Sequence, residues 1–176
     1  MPAESPDVSA TTCEHAARST GVDRLLAQAR AGLHRLHPAE AWAATRRGGM
    51  IADTRPEFQR RAAGEIPGAV VIERNHLEWR LDPTCESRIP EASSHDIHWI
   101  VICAEGYSSS LAAAALRELG LHNATDVIGG FDAWVEADLP VVHPARPTVP
   151  RGPGEGGLPE DGPRNGELYV GRYSMQ

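Results

Sequence analysis

One cysteine of this chain lies where the neighbouring backbone could activate its sulfur. Cys103 follows an unbroken apolar run, Trp99 to Ile102, and precedes a short loop that leads into an alanine-rich segment beginning at Ser108. The apolar run is typical of a strand buried on both faces of a parallel sheet, and the alanines favour a helix. The first N–H groups of a helix have no partners within it, and together with the helix dipole they stabilise a thiolate or a bound anion. The pattern therefore predicts a nucleophilic cysteine whose pKa lies below the ordinary value of about 8.5.

The loop after Cys103 contains the residue types that an anion cradle requires. Gly106 permits a backbone conformation in which N–H groups turn inward. The serines at positions 108 to 110 offer hydroxyl donors and a helix cap. The alternative is a buried cysteine at the end of a strand, followed by an ordinary turn into a helix.

The remaining candidate ligands do not indicate a metal centre or a disulfide framework. Cys13 and Cys85 lie in polar stretches without supporting neighbours, and the three cysteines include no CxxC pair. His95 and His98 lie close together in a polar loop, where solvated or capping roles are favoured. We therefore expect no metal site and no zinc knuckle.

The composition narrows the classes of function. The chain has 176 residues, of which 41% are hydrophobic and 23% charged, and a formal net charge of −7. The negative charge disfavours nonspecific binding of nucleic acid, which needs a basic surface. No apolar run approaches the roughly 18 residues of a membrane span, and the polar N-terminus lacks a signal-peptide pattern. We expect a cytoplasmic protein that binds neither nucleic acid nor membranes.

Short apolar runs alternate with helical segments through the middle of the chain, which predicts an α/β fold with a mostly parallel sheet covered on both faces. Such sheets place their sites at the carboxyl ends of the strands. Asp53 and Cys103 both end a predicted strand, which indicates a shared pocket. The predicted strands are Met50–Ala52, Ala69–Ile72, Trp99–Ile102 and Asp126–Ile128, and the predicted helices are Val22–Leu36, Pro38–Thr45, Leu77–Leu81, Ser108–Leu119 and Gly130–Ala137.

The chain divides into three parts. Residues 1–20 are predicted to be a flexible leader, and residues 21–143 a domain that begins with a helical extension. In residues 144–176, thirteen of the 33 residues are proline or glycine, which is typical of a linker or an extended tail. The end of this tail, Glu167 to Tyr173, regains apolar character, so docking and full solvation both remain open.

Four segments, in the same order as in the family, resemble the rhodanese-like domain. Ile51–Arg55 resembles its D-x-R signature at the first strand, and Gly64–Ala69 resembles its G-H-I-P-G-A turn. Cys103–Ser108 resembles its six-residue active-site loop, and Gly129–Trp134 resembles its closing G-G-x-x-A-W motif. The resemblance covers roughly residues 37 to 142.

The resemblance implies both a fold and a reaction. The fold is a five-stranded, mostly parallel sheet with helices on both faces. The reaction is sulfur transfer from a small donor, thiosulfate or a thiol persulfide, to a thiol acceptor through a persulfide on Cys103. Two-step covalent catalysis of this kind gives ping-pong kinetics and needs no cofactor. The residues that it assigns to substrate binding are Arg55, Ala104, Glu105, Gly106, Tyr107, Ser108 and Ser109.

The resemblance also places Asp53 and Arg55 beside the loop. Asp53 is expected to order the loop by hydrogen bonds, and Arg55 to support it or to face the anion of the donor. A purely structural ion pair between the two residues is the alternative.

The loop departs from the family pattern at Glu105. Family members that favour thiosulfate often carry a cation in this loop, and a carboxylate beside a dianion is unfavourable. This departure disfavours thiosulfate and favours a thiol persulfide as the donor. Arg60 or Arg61 is a candidate for the missing cation, although their spacing after Arg55 differs from the common pattern.

Two other functions compete with sulfur transfer. Related domains with a Cys-x5-Arg loop hydrolyse phosphate esters, but position 109 here is serine and the loop has no arginine. A non-catalytic binding or regulatory module is the other alternative, and the presence of Cys103 argues against it. The sequence leaves the physiological donor, the acceptor and the oligomeric state open.

Overall fold

The computed structural model describes residues 20–143, which form a parallel sheet between two layers of helices. The leader predicted over residues 1–20 lies outside this range except for Thr20, which caps the first helix. The tail predicted over residues 144–176 also lies outside it. Within the described range, no helix is long and apolar enough to cross a membrane.

The elements alternate along the chain as the sequence predicts. A single turn of 3-10 helix, Arg74–His76, precedes the fourth helix. The strands are β1 Met50–Asp53, β2 Val70–Val71, β3 Trp99–Ile102 and β4 Thr125–Asp126; the helices are α1 Gly21–Ala31, α2 Pro38–Thr45, α3 Glu57–Ala63, α4 Leu77–Leu81, α5 Ser108–Glu118 and α6 Gly130–Glu136.

The four strands lie in the order β2-β1-β3-β4, and every pair is parallel. The register places Asp53 beside Ile102, so β1 and β3 end at the same edge of the sheet. Strand β3 is buried throughout. Trp99 and Val101 pack with α4 and α5 on one face, whereas Ile100 and Ile102 pack with α2 and α6 on the other.

The sheet formed by residues 20–143 has four strands, so the expectation of five is wrong. A remnant of a fifth strand exists at Leu36, which forms a single parallel bridge to Val127 beside β4. Its N–H donates to the Asp126 carbonyl at 3.0 Å, and its carbonyl accepts from the Ile128 N–H at 2.9 Å. Pairing stops there because Pro38, which has no N–H, starts α2 two residues later.

The structure corrects two further expectations. The first helix was expected to run to Leu36, but it ends at Ala31 and is capped by Gly32. Glycine has a low preference for helix, and after it the chain leads to Leu36, which bridges to Val127 beside β4. Helix α3 was not predicted, because its sequence, Glu57 to Ala63, is mostly polar and has no apolar stripe.

Candidate functional site

Cys103 lies at the carboxyl end of β3, where the chain turns into the loop that leads to α5. Its side chain is buried, with 7% exposure. Glu105 and Tyr107 are exposed, whereas Gly106 is buried beneath them. The loop therefore surrounds the sulfur and leaves an opening to solvent on one side.

Three hydrogen bonds converge on the Cys103 Sγ. The Gly106 N–H lies 3.2 Å from it and the Ser109 N–H 3.4 Å, and both donate. The thiol itself donates to the Ser109 hydroxyl oxygen at 3.2 Å. The two N–H donors come from the loop and from the first turn of α5, as the sequence predicts for an anion cradle.

Two opposing effects act on the pKa of the Cys103 thiol. Burial is the larger single effect and raises the pKa, because it disfavours the charged form. Hydrogen bonds from the side chains of Ser108 and Ser109, and from the backbone of Ser109 and Gly106, lower it. Together the hydrogen bonds outweigh burial, so the pKa of Cys103 lies below its usual range.

The first residues of α6 donate hydrogen bonds to backbone carbonyls at the start of the loop. The Phe131 N–H donates to the Cys103 carbonyl at 2.8 Å, and the Asp132 N–H donates to the Ala104 carbonyl at 3.0 Å. A Cβ on Gly130, whose φ is +61°, would lie 2.5 Å from both carbonyl oxygens. Only glycine fits there, which explains the Gly129-Gly130 pair seen in the sequence.

Asp53 and Arg55 form a buried ion pair beside the loop. The Arg55 Nη2 lies 2.6 Å from the Asp53 Oδ2 and also donates to the Gly64 carbonyl at 3.0 Å. Its guanidinium lies 3.4 Å from the centre of the Phe131 ring. The recorded hydrogen bonds of the Asp53 carboxylate within residues 20–143 all run to Arg55. Asp53 therefore reaches the loop through Arg55 and Phe131.

A cleft of about 430 Å³ opens over Cys103. It brings together five of the residues predicted to bind substrate with the nucleophile, whereas Gly106 and Ser109 lie behind the sulfur. The cleft is lined by Thr54, Arg55, Pro56, Gln59, Arg74, Cys103, Ala104, Glu105, Tyr107 and Ser108.

The sequence of the domain matches a known family over most of the described residues. The rhodanese-like domain is found at residues 37–137, more than half of the chain. The chain belongs to the rhodanese-like family.

Individual relatives agree with the family assignment. The thiosulfate sulfurtransferase GlpE of Haemophilus influenzae (strain PittEE) is 32% identical over 104 residues, which cover 59% of this chain and 90% of that protein. The adenylyltransferase and sulfurtransferase MOCS3-2 of Zea mays is 36% identical over 95 residues, which cover 52% of this chain. The chain spans about a fifth of the length of the maize protein. This rhodanese-like domain therefore has sulfurtransferases among its relatives.

A solved structure from Rhodopseudomonas palustris CGA009 is also similar. That protein is described as one of unknown function and a possible tyrosine phosphatase. It is 30% identical, with a TM-score of 0.64, and the match covers 70% of this chain and 96% of that one.

Neither Arg60 nor Arg61, the two candidates for the cation that the loop lacks, lines the cleft, but Arg74, which the sequence did not single out, does. Arg74, just after β2, lines the cleft and pairs with Glu78 at 2.7 Å. Arg60 is buried and bonds to the Arg55 carbonyl and to Glu65, while Arg61 pairs with Glu57 in solvent. Closeness in sequence to Arg55 therefore did not predict which arginine lines the cleft, because Arg60 and Arg61 on α3 make other contacts.

No group of three or more metal-ligating side chains occurs among residues 20–143.

Proposed function

We propose that this rhodanese-like domain is a sulfurtransferase that carries sulfane sulfur as a persulfide on Cys103. The observation that carries the proposal is the convergence of the Gly106 and Ser109 N–H donors on the Cys103 Sγ. Donors fixed around a buried sulfur stabilise negative charge there, both on the attacking thiolate and on the persulfide that replaces it.

The transfer occurs in two displacements at sulfur. The Cys103 thiolate attacks the outer sulfur of the donor, forming a new S–S bond as the S–S bond of the donor breaks. The donor remainder leaves with the electron pair, as sulfite from thiosulfate or as a thiolate from a persulfide. A thiolate acceptor then attacks the outer sulfur of the Cys103 persulfide, and Cys103 leaves as the thiolate. Neither step needs an external oxidant or reductant.

Ser109 allows the thiolate to form without leaving a buried group unpaired. Its hydroxyl lies 3.2 Å from the Cys103 Sγ and 3.3 Å from Asp126 Oδ2. It has one hydrogen to donate, which goes to Asp126 while Cys103 is a thiol and to the sulfur once the thiolate forms. Asp126 keeps its bonds to Ser110 and Arg35 in either case.

The charges around the cleft favour a thiol persulfide as the donor. Glu105 is exposed at the cleft, where its carboxylate opposes the two negative charges of thiosulfate. Arg74 offers a positive charge, but its guanidinium makes two contacts with Glu78, at 2.7 and 2.9 Å. A thiol persulfide brings less negative charge to the reacting sulfur than thiosulfate does, so the Glu105 carboxylate repels it less.

The same loop disfavours phosphate-ester hydrolysis. A phosphate held there would need an arginine within the loop to neutralise it, and residues 103–109 include none. A non-catalytic binding module is the remaining alternative, and it predicts no chemistry at Cys103.

Mass spectrometry of the intact protein tests the proposal. The protein is incubated in parallel with thiosulfate and with a persulfide of a small thiol, and the added mass of one sulfur atom is located by digestion. We expect the sulfur on Cys103, with faster loading from the persulfide. Cys103→Ser should abolish loading and transfer, whereas Cys13→Ser and Cys85→Ser should retain most of both. No loading of Cys103 by either donor would favour the binding module, and an equal loss in Cys85→Ser would make the assignment of Cys103 wrong.

A further inference from the structure

Two arginines that precede the family-matched segment reach the active loop. Arg30, in the last turn of α1, donates from Nη2 to the Gly106 carbonyl at 2.8 Å and from Nε to the Ser110 hydroxyl at 3.1 Å. Arg35 donates from its Nη2 to the same Gly106 carbonyl at 3.2 Å. Both lie outside residues 37–137, where the family match is found.

Arg35 is itself fixed by a buried carboxylate. Its Nε and Nη2 bind the two oxygens of Asp126 at 2.8 and 2.9 Å, and Asp126 is fully buried. The hydroxyls of Ser109 and Ser110 also donate to Asp126. Asp126 therefore joins Arg35 to the first turn of α5, where the N–H of Ser109 donates to the sulfur.

Holding the Gly106 carbonyl sets the direction of the next donor in the loop. All peptide bonds described are trans, and in a planar trans peptide the C=O and the following N–H point in opposite directions. With the Gly106 carbonyl held by two guanidinium groups, the plane of the peptide between Gly106 and Tyr107 is fixed, and the Tyr107 N–H points away from the two arginines. Charge-assisted hydrogen bonds are the stronger kind, so this orientation is well determined.

Arg30 also contacts the side chain at the edge of the cleft. Its guanidinium carbon lies 5.5 Å from the centre of the Tyr107 ring, in a cation–π arrangement. Tyr107 is 57% exposed and lines the cleft. One arginine thus constrains both the backbone and the side chain of the loop.

Helix α1 contributes little to the hydrophobic core. None of its residues is buried, and residues of α1 and α5 together line a cavity of about 530 Å³. A substitution at Arg30 therefore removes loop contacts without removing core packing.

We infer that Arg30 and Arg35 are positioning residues for sulfur transfer, and that the segment preceding the family-matched region completes the active loop. The inference rests on the proposed function for its catalytic consequence. Its structural part, the control of the loop around Cys103, can be measured without any sulfur donor.

The test uses Arg30→Gln in the full chain, with Arg61→Gln as the control. The control makes the same change of charge at an exposed ion pair with Glu57, on α3. We expect Arg30→Gln to raise the midpoint of Cys103 alkylation against pH, because a looser loop weakens the Gly106 N–H bond to sulfur. It should also slow persulfide formation about tenfold, since small misplacements of reacting groups are costly. The KM for the donor and the Tm should change little.

Two further variants decide whether the loop depends on the planar group of Arg30 or only on its positive charge. Arg30→Lys keeps the charge but not the planar group that reaches Gly106, Ser110 and Tyr107 together, so it should recover less than half of the lost rate. Arg30→Gln/Arg35→Gln should lose more rate than Arg30→Gln alone. Full recovery in Arg30→Lys, or an unchanged alkylation midpoint and rate in Arg30→Gln, would overturn the inference. If the wild-type protein forms no persulfide, the proposed function fails, and the alkylation midpoint still tests the control of the loop.

Discussion

At Cys103, burial and hydrogen bonding act on the same proton in opposite directions. A sulfur with 7% exposure would hold its proton more tightly than a free thiol if it had no donors nearby. The hydrogen bonds of Ser108, Ser109 and Gly106 together reverse this effect and lower the pKa of Cys103. The reactivity of this cysteine therefore depends on neighbouring donors rather than on exposure.

The lowered pKa of Cys103 predicts how its alkylation depends on pH. The rate follows the thiolate fraction, so the midpoint in the folded protein should lie below about 8.5, the value of a free cysteine. Ser109→Ala removes a donor to the thiolate and should raise the midpoint, whereas Ser93→Ala, at an exposed position in the polar loop before β3, should not. The measurement is the rate of iodoacetamide labelling of Cys103, located by digestion, against pH. A wild-type midpoint at or above that of the unfolded chain would remove the case for an activated nucleophile.

Glu105 predicts a selectivity between donors. Glu105→Gln removes a carboxylate from the cleft and should raise kcat/KM for thiosulfate several-fold, with a smaller change for a small-thiol persulfide. The gain should shrink with added salt, because exposed charges are screened over about 8–10 Å at physiological ionic strength. Glu91→Gln, the same substitution in the polar loop before β3, is the matched control. If Glu105→Gln leaves the kinetics of both donors unchanged, the side chain points to solvent and does not select the donor.

At the scale of elements, the site depends on three separate pieces that meet at one edge of the sheet. Strand β3 ends at Ile102 and delivers the cysteine, α5 supplies N–H groups and hydroxyls, and the start of α6 holds the carbonyls of Cys103 and Ala104. These two bonds fix the peptide planes at the start of the loop, immediately before the Gly106 N–H that donates to the sulfur. Each piece leaves a short signature in the sequence, since each is built from local backbone geometry.

Local patterns therefore predicted the position of Cys103 and most of the elements around it. Strand β3 and helix α5 were predicted closely because an apolar run and a run of alanines are strong signals. The spacing of apolar residues from Val22 to Leu36 indicated one helix, but Gly32 ends it at Ala31. The bridge from Leu36 to Val127 could not be predicted, because it depends on pairing between residues far apart in the sequence.

The charged contacts of the site were the least predictable part. Arg30 and Arg35 lie more than 70 residues from Gly106 in the sequence, and Arg74 enters the cleft from beyond β2. Arginine side chains are long, and where they reach depends on the packing of whole elements. The nearby candidates, Arg60 and Arg61, lie on α3 and pair with Glu65 and Glu57 instead of lining the cleft. The sequence did not indicate this, because α3 has no apolar stripe and was not predicted.

At the scale of the whole molecule, the sheet, the active loop and helix α1 together determine the surroundings of the Cys103 sulfur. Residues 37–137 carry the family fold, the nucleophile and the cleft. Helix α1 and the segment after it lie outside that match and add Arg30 and Arg35 to the loop. The described domain is thus larger than the family region, and the additional part contacts the site itself.

The most direct test of the account follows one sulfur atom through both half-reactions. The protein is loaded with a persulfide donor whose outer sulfur is isotopically labelled, freed of the donor, and then mixed with a small thiol acceptor. We predict that the isolated protein carries one labelled sulfur on Cys103, and that the acceptor removes it with the appearance of the same amount of label in the acceptor persulfide. Ping-pong kinetics should accompany this result. A persulfide that forms on Cys103 but is not passed to any thiol, or label that reaches the acceptor equally well with Cys103→Ser, would contradict the account.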